Sequence, residues 1–225
     1  METLPTFGSA PYVQLDRVVH IGTLDVSQKG NRGDSYEGSG LSFSTDPEAW
    51  EAIAQLGGQA WWECSLASHR LLDGHALVKQ HGDALAQWGI KEGLVTSGTA
   101  WVVSWFDDEM DDTMSMWCGS LAQAQEERRE EEDPIEERTT YLPTQALRDA
   151  MRHKARAGEA DPSVLDDLAT VWAQRQGLHG VWWKDQLDPD RYSAPRGVLF
   201  PEHVNPQEWA PVHSLGAPKP PKPRF

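Results

Sequence analysis

Residues 18–50 constrain the fold of this chain more than any other stretch. Val18-Val19-His20-Ile21-Gly22-Thr23 is an apolar run that ends in a turn, and it reads as a strand leaving a core. A polar, glycine-rich loop covers residues 25–40. Leu41-Ser42-Phe43-Ser44 then alternates with the period of a half-buried strand, and Thr45-Asp46-Pro47-Glu48 opens a helix. Thr45 is placed to cap that helix, with Glu48 as its reciprocal partner three residues on. Pro47 suits the first turn, where its missing N–H is not needed.

The pattern beyond this stretch mixes strands and helices. The first strand spans residues 13–21. Trp50, Ile53 and Leu56 recur at helical spacing before Gly57-Gly58 stops the helix. Residues 59–66 read as a strand and 74–88 as a helix weakened by Gly82. Residues 99–106 and 113–121 read as a hairpin across the acidic loop 107–112. The charge run 122–138 is expected as a solvated helix or disordered loop. Helices follow at 144–155 and from Asp161-Pro162 to about Gly177, then strands at 179–183 and 196–200 and a turn at 205–209. The Pro-rich basic tail 216–225 reads as extended and disordered. Strands early, helices in the middle and strands late give an α+β domain, with the first and last strands as candidate neighbours.

The chain has 225 residues, enough for one sizeable core, and residues 1–215 read as a single globular domain. Eleven Trp supply much of its bulky apolar surface. The formal charge of −15 is concentrated in an insert-like segment, residues 107–137, whose thirteen acids against Arg128 and Arg129 carry −11 of it. That argues against a protein that coats nucleic acid. Cys64 and Cys118 each sit in a Trp-bearing apolar run and read as buried free thiols. Glu2 and Pro5 interrupt any leader-like apolar run, and no run has the ~18 apolar residues of a membrane span. The expectation is a soluble, cytoplasmic protein.

The arrangement from His20 to Ser44 resembles the opening of the ADP-ribosyltransferase-like fold. In that family a His- or Arg-bearing first strand is followed by a loop, a short Ser- or Tyr-bearing strand and a helix. The His-Gly-Thr turn of its His branch stands here as His20-Ile21-Gly22-Thr23, with one extra residue. The strand before the helix is Gly40-Leu41-Ser42-Phe43-Ser44. The resemblance covers roughly the first 55 residues and the late strand at 196–200. It implies split mixed and antiparallel sheets with flanking helices, and NAD as a substrate cleaved at its nicotinamide glycosidic bond. His20 would bond the adenosine ribose, and backbone near Gly22 and Thr23 would hold the nicotinamide amide. Tyr36 or Phe43 would stack on the nicotinamide ring, and Ser42 or Ser44 would bond the nearby ribose. The family's carboxylate at the start of a late strand is replaced by Arg196. Glu202 and Asp185 are the nearby alternatives. Three explanations stay open: the role is supplied from elsewhere, another strand is the right one, or the chain binds a nucleotide without transferring it.

Other chemistry finds less support. His69, His75 and His81 are six apart and share no helical face. No His-x-x-x-His or Cys-x-x-Cys pair offers zinc spacing, and the acidic loop 107–112 lacks the register of a calcium loop. Arg32-Gly33-Asp34 reads as a chance tripeptide, Tyr36-Glu37-Gly38 also fits a plain turn, and Trp182-Trp183 reads as core packing. Two functions follow. One is an NAD-dependent ADP-ribosyltransferase acting on an unknown macromolecular acceptor, protein or nucleic acid, in the manner of a toxin or phage–host conflict protein. The other is a non-catalytic interaction protein that docks a protein partner through segment 107–137 and its Pro-rich tail.

Overall fold

The computed structural model describes Phe7 and residues 10–26, 39–108, 111–151, 163–184 and 194–212. The architecture is α+β, with five helices and two sheets among these residues. The first sheet is built from β1 (Tyr12–Val13), β2 (Val18–Ile21), β3 (Leu41–Ser44), β4 (Trp61–Cys64), β5 (Leu71–Asp73), β9 (Gly180–Trp183), β10 (Arg196–Leu199) and β11 (Ala210–Val212). Its spatial order is β1-β5-β9-β10-β3-β2-β4-β11. Only the β5–β9 pair is parallel among the described pairs, which makes the sheet mixed. The strands β2 and β10 are not neighbours, because β3 lies between them. The first strand of the sequence reading is likewise two strands, broken around Asp16.

Alternate residues of these strands feed two opposite faces. Leu72, Val181, Trp183 and Val198 join a core with the helices α2 (Gly74–Lys91), α4 (Gln145–Met151) and α5 (Val164–Arg175). Val19 and Ile21 pack under α1 (Pro47–Ala54) with Trp50. Val18, Leu41, Phe43, Cys64, Leu71, Trp182, Leu199 and Trp209 fill the other face, with Leu66 and Val204 from the segments that cross it. On that face Phe43, Gly197 and Trp182 are cross-strand neighbours. Gly197 has no side chain, and a Cβ there would lie 2.6 Å from the Phe43 ring. Its absence lets Phe43 and Trp182 stack across the middle strand at 6.0 Å and 2°. Trp182 and Trp183 are both buried, on opposite faces, as core residues.

Two helix starts sharpen the sequence reading. The cap of α1 is Asp46, not Thr45: the Asp46 carboxylate accepts the Ala49 N–H at 3.1 Å, and Thr45 is exposed. The buried Ser44 hydroxyl accepts the Asp46 N–H at 2.9 Å, so the chain turns into the helix one residue later. Pro47 does occupy the first turn, and Gln55 in the left-handed region ends the helix before Gly57-Gly58. In α2, which Asp73 caps, the backbone breaks at His81 beside Gly82, and the buried Phe7 ring stacks on His81 at 5.5 Å.

The second sheet has three strands, in the order β7-β6-β8: β6 (Val95–Asp107), β7 (Asp112–Cys118) and β8 (Ile135–Pro143). The hairpin across residues 107–112 is present, with Asp107 opposite Asp112. The charge run holds α3 (Leu121–Glu127) and then becomes β8, a strand that the sequence reading did not foresee. Glu136, Glu137 and Arg138 are ladder residues opposite Val102, Trp101 and Ala100. A ladder of main-chain bonds leaves no trace in composition, which is why the strand was illegible. Val103, Cys118 and Ala124 form a small core beneath α3. Both cysteines are buried free thiols. Among the described residues no helix is long and apolar enough to cross a membrane. The tail 216–225, the Arg32-Gly33-Asp34 tripeptide, Asp185 and the cap Asp161-Pro162 lie outside the described residues.

Candidate functional site

The β2–β3 seam gathers most of the residues nominated from the sequence. Four residue pairs join β2 to β4 and four join β3 to β10, but a single pair, Val19 with Ser44, joins β2 to β3. Past that pair the seam is bridged by a side chain. His20 Nδ1 lies 2.7 Å from the Ser42 carbonyl, and its Nε2 lies 2.9 Å from the Thr23 carbonyl. The ring is 8% exposed and has Trp50 and Trp209 as aromatic neighbours. Burial holds its pKa below the usual 6.5, against the opposing pull of the two carbonyls. A neutral imidazole carries one proton and can donate to only one of them. The other ring nitrogen then meets a carbonyl oxygen with no hydrogen between.

The surrounding residues position this ring. Gly22 has φ of +132°, and a Cβ there would come within 3.3 Å of His20 Nε2 and 3.2 Å of Gln59 Oε1. Its N–H donates to Ala60 O at 2.8 Å, and its carbonyl accepts the Trp62 indole N–H at 2.9 Å. Thr23 is exposed and offers its carbonyl to His20. Ser42 is half-buried in the seam. Phe43 and Ser44 are fully buried. Phe43 stacks on Trp182, while the Ser44 hydroxyl donates to the Pro195 carbonyl. Both serve the core. Arg196, in register with Ser44 and Trp183, is half-buried on β10. Tyr36 lies outside the described residues.

Comparison of the chain with protein-family models, with curated proteins and with solved structures finds no match.

Glu202 is placed elsewhere. It is exposed on the single-turn 3-10 helix Pro201–His203 and lines an open cleft of about 720 Å³. The cleft lies between residues 64–69, His179 and residues 202–208, and none of the seam residues lines it. Glu202 follows β10 out of the sheet at Leu199, which pairs with Leu41 at the end of the sheet where β2 gives way to Gly22. The seam and Glu202 therefore lie toward the same end of these strands without sharing a cavity.

The cleft contains a group that sequence spacing missed. The rings of His69 and His179 lie 5.2 Å apart, and those of His179 and His203 lie 4.3 Å apart. Chain spacing sets His69 beside His75 and His81, but the ring it meets is that of His179, more than a hundred residues away in the chain. The adjacency arises because β5 pairs with β9 and the chain after β10 turns back over them. No local spacing encodes it. Among the described residues no group of three His, Cys, Asp or Glu side chains is placed to hold a metal ion.

Proposed function

We propose that the chain is an ADP-ribosyltransferase-like protein that takes NAD as substrate and modifies an acceptor, with the β2–β3 seam as the nucleotide site. The observation that carries this reading is His20. A buried neutral imidazole between two carbonyls lacks a proton donor at one nitrogen, and a ribose hydroxyl at Nε2 supplies one. Nδ1–H donates to Ser42 O, the closer carbonyl, and fixes the ring. Nε2 exchanges the Thr23 carbonyl for the ribose hydroxyl. Two features support it. The seam is thinly bridged, and the three nominated strands lie side by side as β2-β3-β10, with α1 directly after β3.

NAD supplies a glycosidic bond that breaks toward a ribosyl cation, so its cleavage needs negative charge placed where positive charge develops. Glu202 is a carboxylate that follows β10 at this end of the strands. In this reading Ser42 faces the ligand, and Phe43 and Ser44 hold the seam in shape. The test is nicotinamide release from NAD by wild type, His20→Ala and Glu202→Ala, with melting temperature as the check on folding. Release that His20→Ala abolishes, together with stabilisation of wild type by NAD, is the expected result. Neither binding nor release by wild type would sink the reading.

A second reading, a protein that docks a partner through segment 107–137, is favoured by the exposure of that segment. Phe106 at the hairpin tip is 59% exposed amid its acids. It predicts binding to a basic partner that weakens steeply with salt.

A further inference from the structure

The histidine end of the cleft is built to a degree that a chance surface cluster is not. His179 is fixed by main chain on both sides: its N–H donates to Arg70 O at 2.9 Å, and its carbonyl accepts from Phe200 N at 2.9 Å. His203 N–H donates to Phe200 O and His69 N–H to Leu66 O, each at 2.9 Å. The side chain of His179 is fixed as well. Its Nδ1 accepts the Arg70 main-chain N–H at 3.1 Å, so the neutral ring carries its proton on Nε2. Nδ1 would have to give up that bond to be protonated. His69 Nδ1 is buried without a hydrogen-bond partner.

The charges that act on His179 have one sign. His179 is held below the usual histidine value by burial first, and then by His203, His69 and Arg70, all of them cationic when charged. Glu202 on the 3-10 turn and Glu208 further along also line the cleft. Glu208 makes itself felt at Cys64, where burial and its charge push the thiol up to about 11. The cleft thus carries imidazole N–H donors from three rings and the carboxylates Glu202 and Glu208, with a protonated thiol at Cys64. Ser65, Ser68 and Asn205 also line it.

We propose that the part of the cleft formed by His69, His179 and His203, with the charge of Arg70 acting on His179, binds a tetrahedral oxyanion, the phosphate or sulfate group of a small molecule. The oxyanion takes the fixed Nε2–H of His179 and the N–H groups of the neighbouring rings. It also offsets the mutual repulsion that otherwise opposes charging them. The proposal does not require NAD use, since its histidines lie outside the seam; Glu202, which lines the cleft, is the residue the two readings share.

Sodium sulfate is a suitable probe, because its charge is constant across the histidine range. The experiment follows the imidazole resonances of the full chain by NMR during titration with sulfate, with sodium chloride at matched ionic strength as the control. Resonances of His179 and His203 are expected to move in sulfate alone. Affinity at pH 6 should exceed that at pH 8 by about tenfold, because a bound dianion favours the protonated form of the rings it touches and so takes up a proton as it binds. His179→Gln and His203→Gln should each weaken binding by about tenfold, the usual scale for a charge-assisted hydrogen bond. Arg70→Gln removes an exposed cation and its contact over the Tyr12 ring but keeps the main-chain bonds, so it remains informative if a histidine variant fails to fold; it should weaken binding about threefold. Equal shifts in sulfate and chloride, or wild-type affinity in Arg70→Gln and in the folded histidine variants, would overturn the proposal.

Discussion

In the eight-stranded sheet the strands are short and several, such as β2 and β9, are buried at every residue, whereas the three-stranded sheet is longer, acidic and open to solvent along much of β7 and β8. The larger sheet is held by side chains that interlock across strands, Phe43 over Gly197 onto Trp182 above all. The smaller is held mainly by its ladders, seven residue pairs from β6 to β7 and nine to β8, over a core of a few side chains. A strand that is buried on both faces tolerates little change in volume. A strand held by main-chain bonds tolerates almost any side chain that can reach water, which is how β8 accommodates Glu136 and Glu137.

The largest effects should therefore come from the aromatic row of the larger sheet. Phe43→Ala removes a fully buried ring and is expected to cost about 3–5 kcal/mol. Gly197→Ala adds a methyl group into the Phe43 ring and the Val181 carbonyl, at a cost of about 1–3 kcal/mol. Denaturant unfolding followed by tryptophan fluorescence measures both. If Gly197→Ala were neutral, the stacking across that glycine would not be what orders the sheet.

His20 should produce an intermediate effect with a pH signature. His20→Ala leaves the Ser42 carbonyl without its side-chain partner, a loss of about 1–3 kcal/mol. The unfolded chain protonates this histidine near its ordinary 6.5, while the folded ring is held lower by burial. Between those two values the unfolded state binds the extra proton. Stability is therefore lost as pH falls below about 6.5, and the loss levels off below the folded value. The buried-side shift of His179 acts in the same direction. Urea unfolding between pH 8 and pH 5 should show a shallower decline for His20→Gln than for wild type. Parallel curves would mean that the folded ring takes up its proton as readily as the unfolded one.

The same contrast explains what could be read in advance. Strands of the larger sheet such as Leu41–Ser44 and Gly180–Trp183 stand out because burial demands apolar side chains at regular intervals. The hairpin of β6 and β7 was legible from Trp101, Val102, Val103 and Trp105 flanking an acidic turn. β8 was not, because nothing in Glu136-Glu137-Arg138 announces a ladder. At the candidate site His20, Gly22 and Ser42 were legible as neighbours, since the seam joins strands close in the chain. The sequence did not reveal that Phe43 and Ser44 turn inward, because alternation gives a residue's face but not which face is covered. The cap lies one residue later than the pattern suggests, because the Asp46 carboxylate takes the Ala49 N–H while Thr45 is exposed. The histidine cleft was illegible, since its rings converge through strand order alone.

The smallest effect should come from the acidic sheet, and it tests whether that sheet is governed by charge or by its ladders. Arg129 lies over the Trp105 ring at 4.4 Å and 3.7 Å from the Asp107 carboxylate, with its own side chain largely exposed. Exposed cation–aromatic contacts and surface ion pairs are each worth about 1 kcal/mol or less. Arg129→Ala should accordingly lower stability by no more than about 1 kcal/mol, while raising the local negative charge by one. High salt should erase most of the difference, because screening acts on the ion pair and on the repulsion among the remaining acids alike. A loss several times larger that persists at high salt would show that Arg129 packs over Trp105 as a structural lid. The small sheet would then depend, like the large one, on a single side-chain contact and not on its ladders.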